Sequence, residues 1–322
     1  MTADEPLPAP TPRPTGDGPT ADTAATRPIP AFVNTGAGTA AAAVEALRAA
    51  GAAFDVREVT GDALAKEVER AVGEGATRVL VAGGDGSICS AAGVLAGGPV
   101  ELAVLPGGTL NHFAHHHDIP VEAPAATEVA RGGRVTAVDV GRVNGRLFLN
   151  TSSVGTYVLF VRTRERLERY FGYRLASLLA GVRVLVQLRS YRVTLDVEGK
   201  SRTYRTPIVF IGVGERETKA PTLGERVVGG KRGLHVVVVR GRTAGRLFAI
   251  ALATLARGVR EVARTPMLDA FVVDRCRIDL PRARGRVAVD GELVEMTAPL
   301  EYELQRDALR VVVGESDAVE AG

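Results

Sequence analysis

Val79-Leu80-Val81-Ala82-Gly83-Gly84-Asp85-Gly86-Ser87 places a glycine-rich turn between an apolar run and a helical segment. The run, Arg78 to Ala82, is continuous rather than alternating, the pattern of a parallel strand covered on both faces. Glycine lets backbone N–H groups approach a ligand closely. Those groups, together with the positive end of the following helix, make an anion site suited to phosphate. Asp85 is the informative residue, because a carboxylate beside phosphates is tolerated when a divalent cation bridges the two. The loop therefore implies a magnesium nucleotide, with Asp85 as metal ligand. The plainer reading makes Asp85 or Ser87 the N-cap of an ordinary strand-to-helix turn.

The neighbouring elements extend this pattern. Order begins at Ile29 to Val33, a short strand that breaks at Asn34, followed by an Ala-rich helix over 39–50 and a strand over 54–59. Leu64, Val68, Ala71 and Val72 have helical spacing, and Leu102 to Leu105 is the next strand. Strand and helix alternating through short loops predict a doubly wound parallel sheet. A second loop, Leu105-Pro106-Gly107-Gly108-Thr109-Leu110-Asn111, then falls on the same carboxyl edge as the first, where ligands of such sheets bind. Thr109 and Asn111 offer hydrogen bonds to phosphate, ribose or metal-bound water.

After about residue 135 the pattern changes. Val135 to Val143 and Arg146 to Asn150 flank Asn144-Gly145, a hairpin signal. Helices are expected over 158–171, 173–188 and 244–261. Strands are expected over 191–198, 203–213, 234–240, 270–280, 286–290 and 300–304, which suggests an antiparallel sandwich. The expected division is a disordered tail at 1–28, a nucleotide-binding α/β domain at 29–134, a β-rich acceptor domain with inserted helices at 135–305, and a segment at 306–322 that returns to the first domain through Leu309 to Val313.

Composition excludes several classes. The 322 residues are 46% hydrophobic and 24% charged, enough to bury a core, and a net charge of +3 is too small for a dedicated nucleic-acid binder. Cys89 and Cys276 are too few and too far apart for a disulfide scaffold or zinc ribbon. No apolar run approaches the ~20 residues of a membrane span, and the start lacks the charged-then-apolar pattern of a signal peptide. The expected compartment is the reducing cytoplasm.

The two later loops together carry a resemblance. Gly83 to Ala114 resembles the catalytic domain of the diacylglycerol kinase family, whose signatures are GGDGT and P-x-G-T-x-N-x-F-A, and is most similar to its soluble bacterial lipid kinases. Asn34 with Gly38, Thr60 ahead of Gly61-Asp62-Ala63, Asn150 to Gly155 and Val289-Asp290-Gly291-Glu292 match further family patterns. The resemblance implies a phosphofructokinase-like nucleotide domain joined to a β-sandwich-like lipid domain, and ATP-dependent, magnesium-dependent phosphorylation of a lipid hydroxyl such as that of diacylglycerol. Asn34, Thr35, Gly36, Gly38, Thr60, Gly83, Gly84, Asp85, Gly86, Ser87, Gly108, Thr109 and Asn111 would hold the nucleotide. Glu292 would accept the hydroxyl proton with Asp290 as its partner. The enzyme would serve phospholipid biosynthesis as a cytoplasmic protein peripheral to the membrane, with a homodimer compatible.

Several positions depart from the family pattern. Thr35 and Ala37 replace Pro and Ser, Ser87 replaces Thr, and Cys89-Ser90 replaces Asn-Glu. Lys231 and Arg232 stand where many relatives carry acidic ligands of a structural metal, so that site is expected to be missing; Val213-Gly214 replaces Asn-bearing sequence. Three rival functions are carried forward. Gly36 and Gly38 fit a loose dinucleotide pattern, with Asp55 at ribose-binding distance, as in an oxidoreductase. An NAD kinase shares the first loop, and a catalytically weak lipid- or nucleotide-binding protein would explain the departures. His112, His115, His116 and His117 allow a metal site or a solvated helix end. Cys89 allows either a helix-activated thiol or a packing residue. Arg162 to Arg174, basic with interleaved aromatics and two glutamates, allows either a contact with an anionic bilayer or a solvated face.

Overall fold

The computed structural model describes residues 27–155, 190–217 save 198, 226–239 save 228, and 268–314, with isolated positions between 163 and 183. The expected tail at 1–26, the helix at 244–261 and most of the helices at 158–188, including the basic run, lie outside the described residues.

The first part alternates as expected: β1 (Ile29–Asn34), α1 (Ala40–Ala49), β2 (Phe54–Val59), α2 (Gly61–Gly73), β3 (Arg78–Gly83), α3 (Asp85–Leu95), β4 (Glu101–Pro106), α4 (His112–His116) and α5 (Ala123–Gly132). The four strands are parallel in the order β2-β1-β3-β4. The apolar run of β3 is continuous because both of its faces are covered. Val79 and Val81 join Leu64, Val68 and Ile88 of α2 and α3 on one side. Leu80 and Ala82 join Leu47 of α1 and Ala126 of α5 on the other. The chain direction around the sheet reverses between β1 and β3, so their two following loops open onto one crevice.

The second part consists of β5 (Arg134–Val143), β6 (Arg146–Phe148), β7 (Thr151–Gly155), β8 (Tyr191–Val197), β9 (Lys200–Thr206), β10 (Ile208–Val213), β11 (Leu234–Val239), β12 (Leu268–Val273), β13 (Arg275–Asp279), β14 (Arg284–Val289), β15 (Glu292–Thr297) and β16 (Leu300–Val313). Asn144 and Gly145, at φ 47° and 81°, make the tight turn joining β5 to β6. The parallel sheet continues through β16, β13, β8 and β9, with β5 alongside β16. A second, antiparallel sheet runs β12-β11-β10-β7-β14-β15. Val193, Leu195, Ile278 and Tyr302 of the first sheet share a core with Val209, Ile211, Val236 and Val287 of the second, so these parts pack face to face.

Three strand expectations need correction. The single strand expected over 203–213 is two strands in different sheets, broken at Pro207, which has no N–H for a ladder. There the buried Thr206 hydroxyl accepts from Ile208 N at 3.1 Å and donates to Val239 O at 2.6 Å. The strand expected over 270–280 likewise changes sheets at Asp274, whose carbonyl accepts from Leu304 N and whose carboxylate pairs with Arg306. Conversely, 300–304 and 309–313 are one 14-residue strand with an irregularity between Gln305 and Leu309. The beginning of β16 pairs with β13 and its end runs parallel to β4, so one strand connects the antiparallel and parallel regions.

Candidate active site

The crevice between β1 and β3 opens into a cleft of 970 Å³, bounded by the two glycine loops on one side and by β6 and the β14–β15 hairpin on the other. Its shape follows from close backbone packing. Gly107 N donates to Gly83 O at 2.8 Å, and a Cβ on Gly108 would stand only 2.8 Å from Gly84 Cα. Glycine is required at Gly108 because the opposing atom is backbone and cannot move aside. Asn34 fastens the β1 loop to this pair: its Nδ2 donates to Ser87 Oγ at 2.8 Å, and its Oδ1 accepts from Gly36 N at 3.0 Å. Asn111, left-handed at φ 48°, closes the second loop by accepting from Gly108 N at 2.8 Å.

Of the residues singled out in the sequence, Asn34, Gly36, Gly38, Gly84, Gly86, Ser87, Gly108, Thr109, Asp290 and Glu292 line this one cleft. Thr35, Thr60, Gly83, Asp85 and Asn111 are not among its lining residues. Thr35 turns its hydroxyl to Val59 O, and Thr60 precedes α2 without a side-chain cap. Asp85 differs most from expectation. Its two carboxylate oxygens accept from His112 N at 3.1 Å and Phe113 N at 3.0 Å, so it holds the start of α4 rather than facing the cleft.

The opposite wall carries two carboxylates with different surroundings. Asp290, at φ 45° in the β14–β15 turn, accepts from Leu149 N at 2.7 Å, Asn150 N at 2.9 Å and Thr151 N at 2.8 Å. Burial raises its proton affinity, and these three N–H groups oppose the rise without cancelling it. Glu292 is exposed and pairs with Arg146 at 2.7 Å. With side-chain exposures of 46% and 59%, this pair contributes about 0–1 kcal/mol. Glu292 Oε1 also reaches across to α3, 3.2 Å from where a Cβ on Gly86 would stand.

Arg146 and Asp62 are cleft residues that sequence reasoning missed. The Asn144-Gly145 signal fixes where the hairpin turns but not which wall its next residue faces. Cys89 also lines the cleft, but burial pushes its thiol up, with Asp290 and Glu292 adding to the effect. It is a packing residue, not an activated nucleophile.

The remaining polar groups near the site serve the fold. His116 Nδ1 lies 3.1 Å from Asn150 Oδ1, His117 packs on the Phe113 ring, and burial pushes the two histidines down to about 4 and about 3. Arg216 donates to Asn150 O and Val213 O. Arg232, in the loop where relatives would carry acidic ligands, bridges Asp139 and Asp307. Asp55 lies at the amino end of β2, paired with Arg57 and lining a different hollow with Thr77 and Arg78. It cannot reach a ribose at the carboxyl edge, which removes the residue on which the dinucleotide reading depended.

Comparison with known proteins agrees with the loops. Residues 31–143 match the model of the diacylglycerol kinase catalytic domain. A protein named probable lipid kinase YegS-like from Pseudomonas aeruginosa is 40% identical over 146 residues, 44% of this chain and 47% of its own. A diacylglycerol kinase from Staphylococcus aureus is 31% identical over 160 residues, 48% of this chain and 50% of its own. The chain thus spans about half the length of the curated relatives it matches. A crystal structure of a diacylglycerol kinase from Bacillus anthracis superposes with a TM-score of 0.64 at 19% identity, covering 90% of this chain and 97% of its own, a likeness of fold. The matched span contains both glycine loops and the whole of β2, β3 and β4, and over that span the chain is similar to the diacylglycerol kinase catalytic domain.

Proposed function

We propose that this protein is a lipid kinase that transfers the γ-phosphate of ATP to a lipid hydroxyl, such as that of diacylglycerol, at a membrane surface. The observation that carries the proposal is the cleft itself: two interlocked glycine loops face two carboxylates across one crevice. Phosphoryl transfer needs positioned phosphates, neutralised charge and a carboxylate to accept the hydroxyl proton. The backbone N–H groups at the start of α3 and the second loop suit the first requirement. Magnesium would supply charge neutralisation. It commonly binds through one or two carboxylates plus the nucleotide phosphates, and Asp62, at the start of α2, is the lining carboxylate suited to it.

Glu292 is the proposed proton acceptor, because Asp290 already receives three backbone N–H groups. A second reading exchanges the two, favoured by the burial that raises Asp290 toward the working range of a general base. Among the described residues no helix is long and apolar enough to cross a membrane, so access to lipid would be peripheral. The proposed setting is cytoplasmic, with a role in phospholipid synthesis, and a homodimer is compatible with it. The test is ATP consumption with diacylglycerol, monoacylglycerol, sphingoid base, ceramide and polyprenol presented in mixed micelles. Turnover with one of them supports the reading. Tight NADH binding without ATP turnover would replace it with the dinucleotide alternative.

A further inference from the structure

Arg146 is the one cationic side chain among the described residues that line the cleft; its ionisable companions there, Asp62, Asp290 and Glu292, are acids apart from the protonated thiol of Cys89. We infer that Arg146 is the residue that binds the transferred phosphoryl group: it leaves Glu292 when a nucleotide bearing a γ-phosphate enters, and donates its guanidinium to that phosphate. This rests on the kinase function proposed above and deepens it.

Three observations lead here. The first is charge. A triphosphate adds several negative charges to a cleft whose walls already hold three carboxylates, while Lys66, Lys200 and Lys231 lie elsewhere, on α2, on β9 and in the loop bonded to Glu215. The second is position. Glu292 spans from Arg146 Nη2, 2.7 Å from its Oε2, to the space above Gly86, so the guanidinium stands one carboxylate away from the helix start that suits phosphate. The third is mobility on a fixed base. Arg146 follows the Asn144-Gly145 turn, which is held by Asn144 Oδ1 accepting from Glu301 N at 2.7 Å and Nδ2 donating to Thr297 O at 2.9 Å. The half-exposed pair with Glu292 is weak, whereas a guanidinium meets a phosphate through two parallel, charge-assisted bonds. Exchange of partner is therefore favourable, and it releases the Glu292 carboxylate when a phosphoryl group is ready to be transferred.

In the step itself, the lipid oxygen bonds to the γ-phosphorus as the bond from that phosphorus to the β,γ-bridging oxygen breaks. The hydroxyl proton passes to the carboxylate on the hairpin, and ADP departs with the bridging electron pair. Arg146 hydrogen-bonds the non-bridging oxygens and keeps its protons throughout.

The test compares affinities for magnesium-ADP and for magnesium with the β,γ-methylene analogue of ATP, by calorimetry, in wild type, Arg146→Ala, Arg146→Lys and Glu292→Gln. Arg146→Ala should bind ADP as wild type does but lose roughly 10–100-fold in affinity for the analogue. Its kcat in the micelle assay should fall about 10³-fold or more, with partial recovery on adding guanidinium ion at millimolar concentration. Arg146→Lys should recover only part of the loss, because an ammonium lacks the fork. Glu292→Gln should hold or improve analogue affinity by releasing Arg146, whereas a merely structural ion pair would make both variants lose it. An unchanged analogue-to-ADP ratio in Arg146→Ala, or a kcat within about twofold of wild type, overturns the inference alone. A wild type that binds neither nucleotide overturns the kinase reading and this inference with it.

Discussion

Glu292 Oε1 lies 3.2 Å from the point where a Cβ on Gly86 would stand, so the β14–β15 hairpin reaches across the cleft to the first turn of α3. The parts of the chain on the two walls are about two hundred residues apart in sequence. They meet because β16 starts beside β13 and ends beside β4, joining the antiparallel and parallel regions in one sheet.

Gly86→Ala separates stability from function. The position is helical with no left-handed strain, so alanine should leave stability unchanged or raise it by up to about 1 kcal/mol. The new methyl group would crowd Glu292 and the proposed phosphate position, and a displacement of that kind costs roughly 10²-fold in rate. Urea melts together with the micelle assay check both halves. A variant as active as wild type would show that the contact is incidental.

The loop pair gives a contrast between two glycines. Gly108→Ala would set its Cβ 2.8 Å from Gly84 Cα and 3.1 Å from Asn111 Oδ1. Neither loop can yield without parting from the other, so a loss of about 1–3 kcal/mol is expected, along with nucleotide binding. Gly38→Ala meets nothing within 4 Å and should stay within about 0.5 kcal/mol of wild type. Equal losses at the two positions would contradict the interlocked-loop account.

The first loop was legible because its determinants are local: an apolar strand with both faces covered, then glycines, then a helix. Locality concealed one thing about Asp85: its carboxylate accepts backbone N–H groups of α4, 27 and 28 residues later, which nothing beside it in sequence announces. Arg146 was illegible for the same reason, since nothing adjacent to it in sequence says that its strand faces α3 across the cleft. Pro207 was a visible signal for a strand break that the apolar pattern on either side concealed.

Arg232 tests the loop that lacks acidic ligands. Burial pushes Asp139 up, but Arg232 and the Asp307 N–H outweigh it and hold the carboxylate below its usual range. Arg232→Ala should cost about 1–2 kcal/mol, less than a fully buried pair because Arg232 is half-exposed. A chelator should leave the melting temperature of nucleotide-free protein unchanged. A drop of several degrees on adding chelator would place a metal in this region.

Acid should weaken the fold before the carboxylates titrate. His116 and His117, pushed down to about 4 and about 3 by burial, bind protons more readily in the unfolded chain, whose histidines titrate near 6.5. Stability therefore rises with pH wherever the unfolded state holds more protons. Their contribution is fully present above about pH 6.5 and is lost as pH falls toward 4 and then 3. Melting temperatures from pH 7.5 to 4.5 should fall in wild type and fall less in a His116→Gln/His117→Gln double variant. Parallel curves for the two proteins would disprove this assignment.

The proton acceptor is the sharpest question left by the geometry, because Asp290 and Glu292 flank one glycine and both line the cleft. A positioned general base is worth ~10²–10⁴-fold in rate. Glu292→Gln removes a carboxylate that, among the described residues, pairs with Arg146 and holds no backbone group, so its stability should be that of wild type. If Glu292 is the base, kcat falls by that factor while magnesium-ADP affinity stays constant. Asp290→Asn behaves differently under either assignment. An amide cannot accept all three of the N–H groups that Asp290 holds, so the variant should lose about 1.5–3 kcal/mol of stability. Its activity must therefore be read well below its melting point. The pH profile of kcat/KM adds an independent discriminator. Burial raises Asp290, so an acid limb above the ordinary carboxylate range would identify it as the acceptor. Glu292→Gln turning over at the wild-type rate with that limb intact would transfer the role to Asp290 and leave Glu292 as the partner that Arg146 holds.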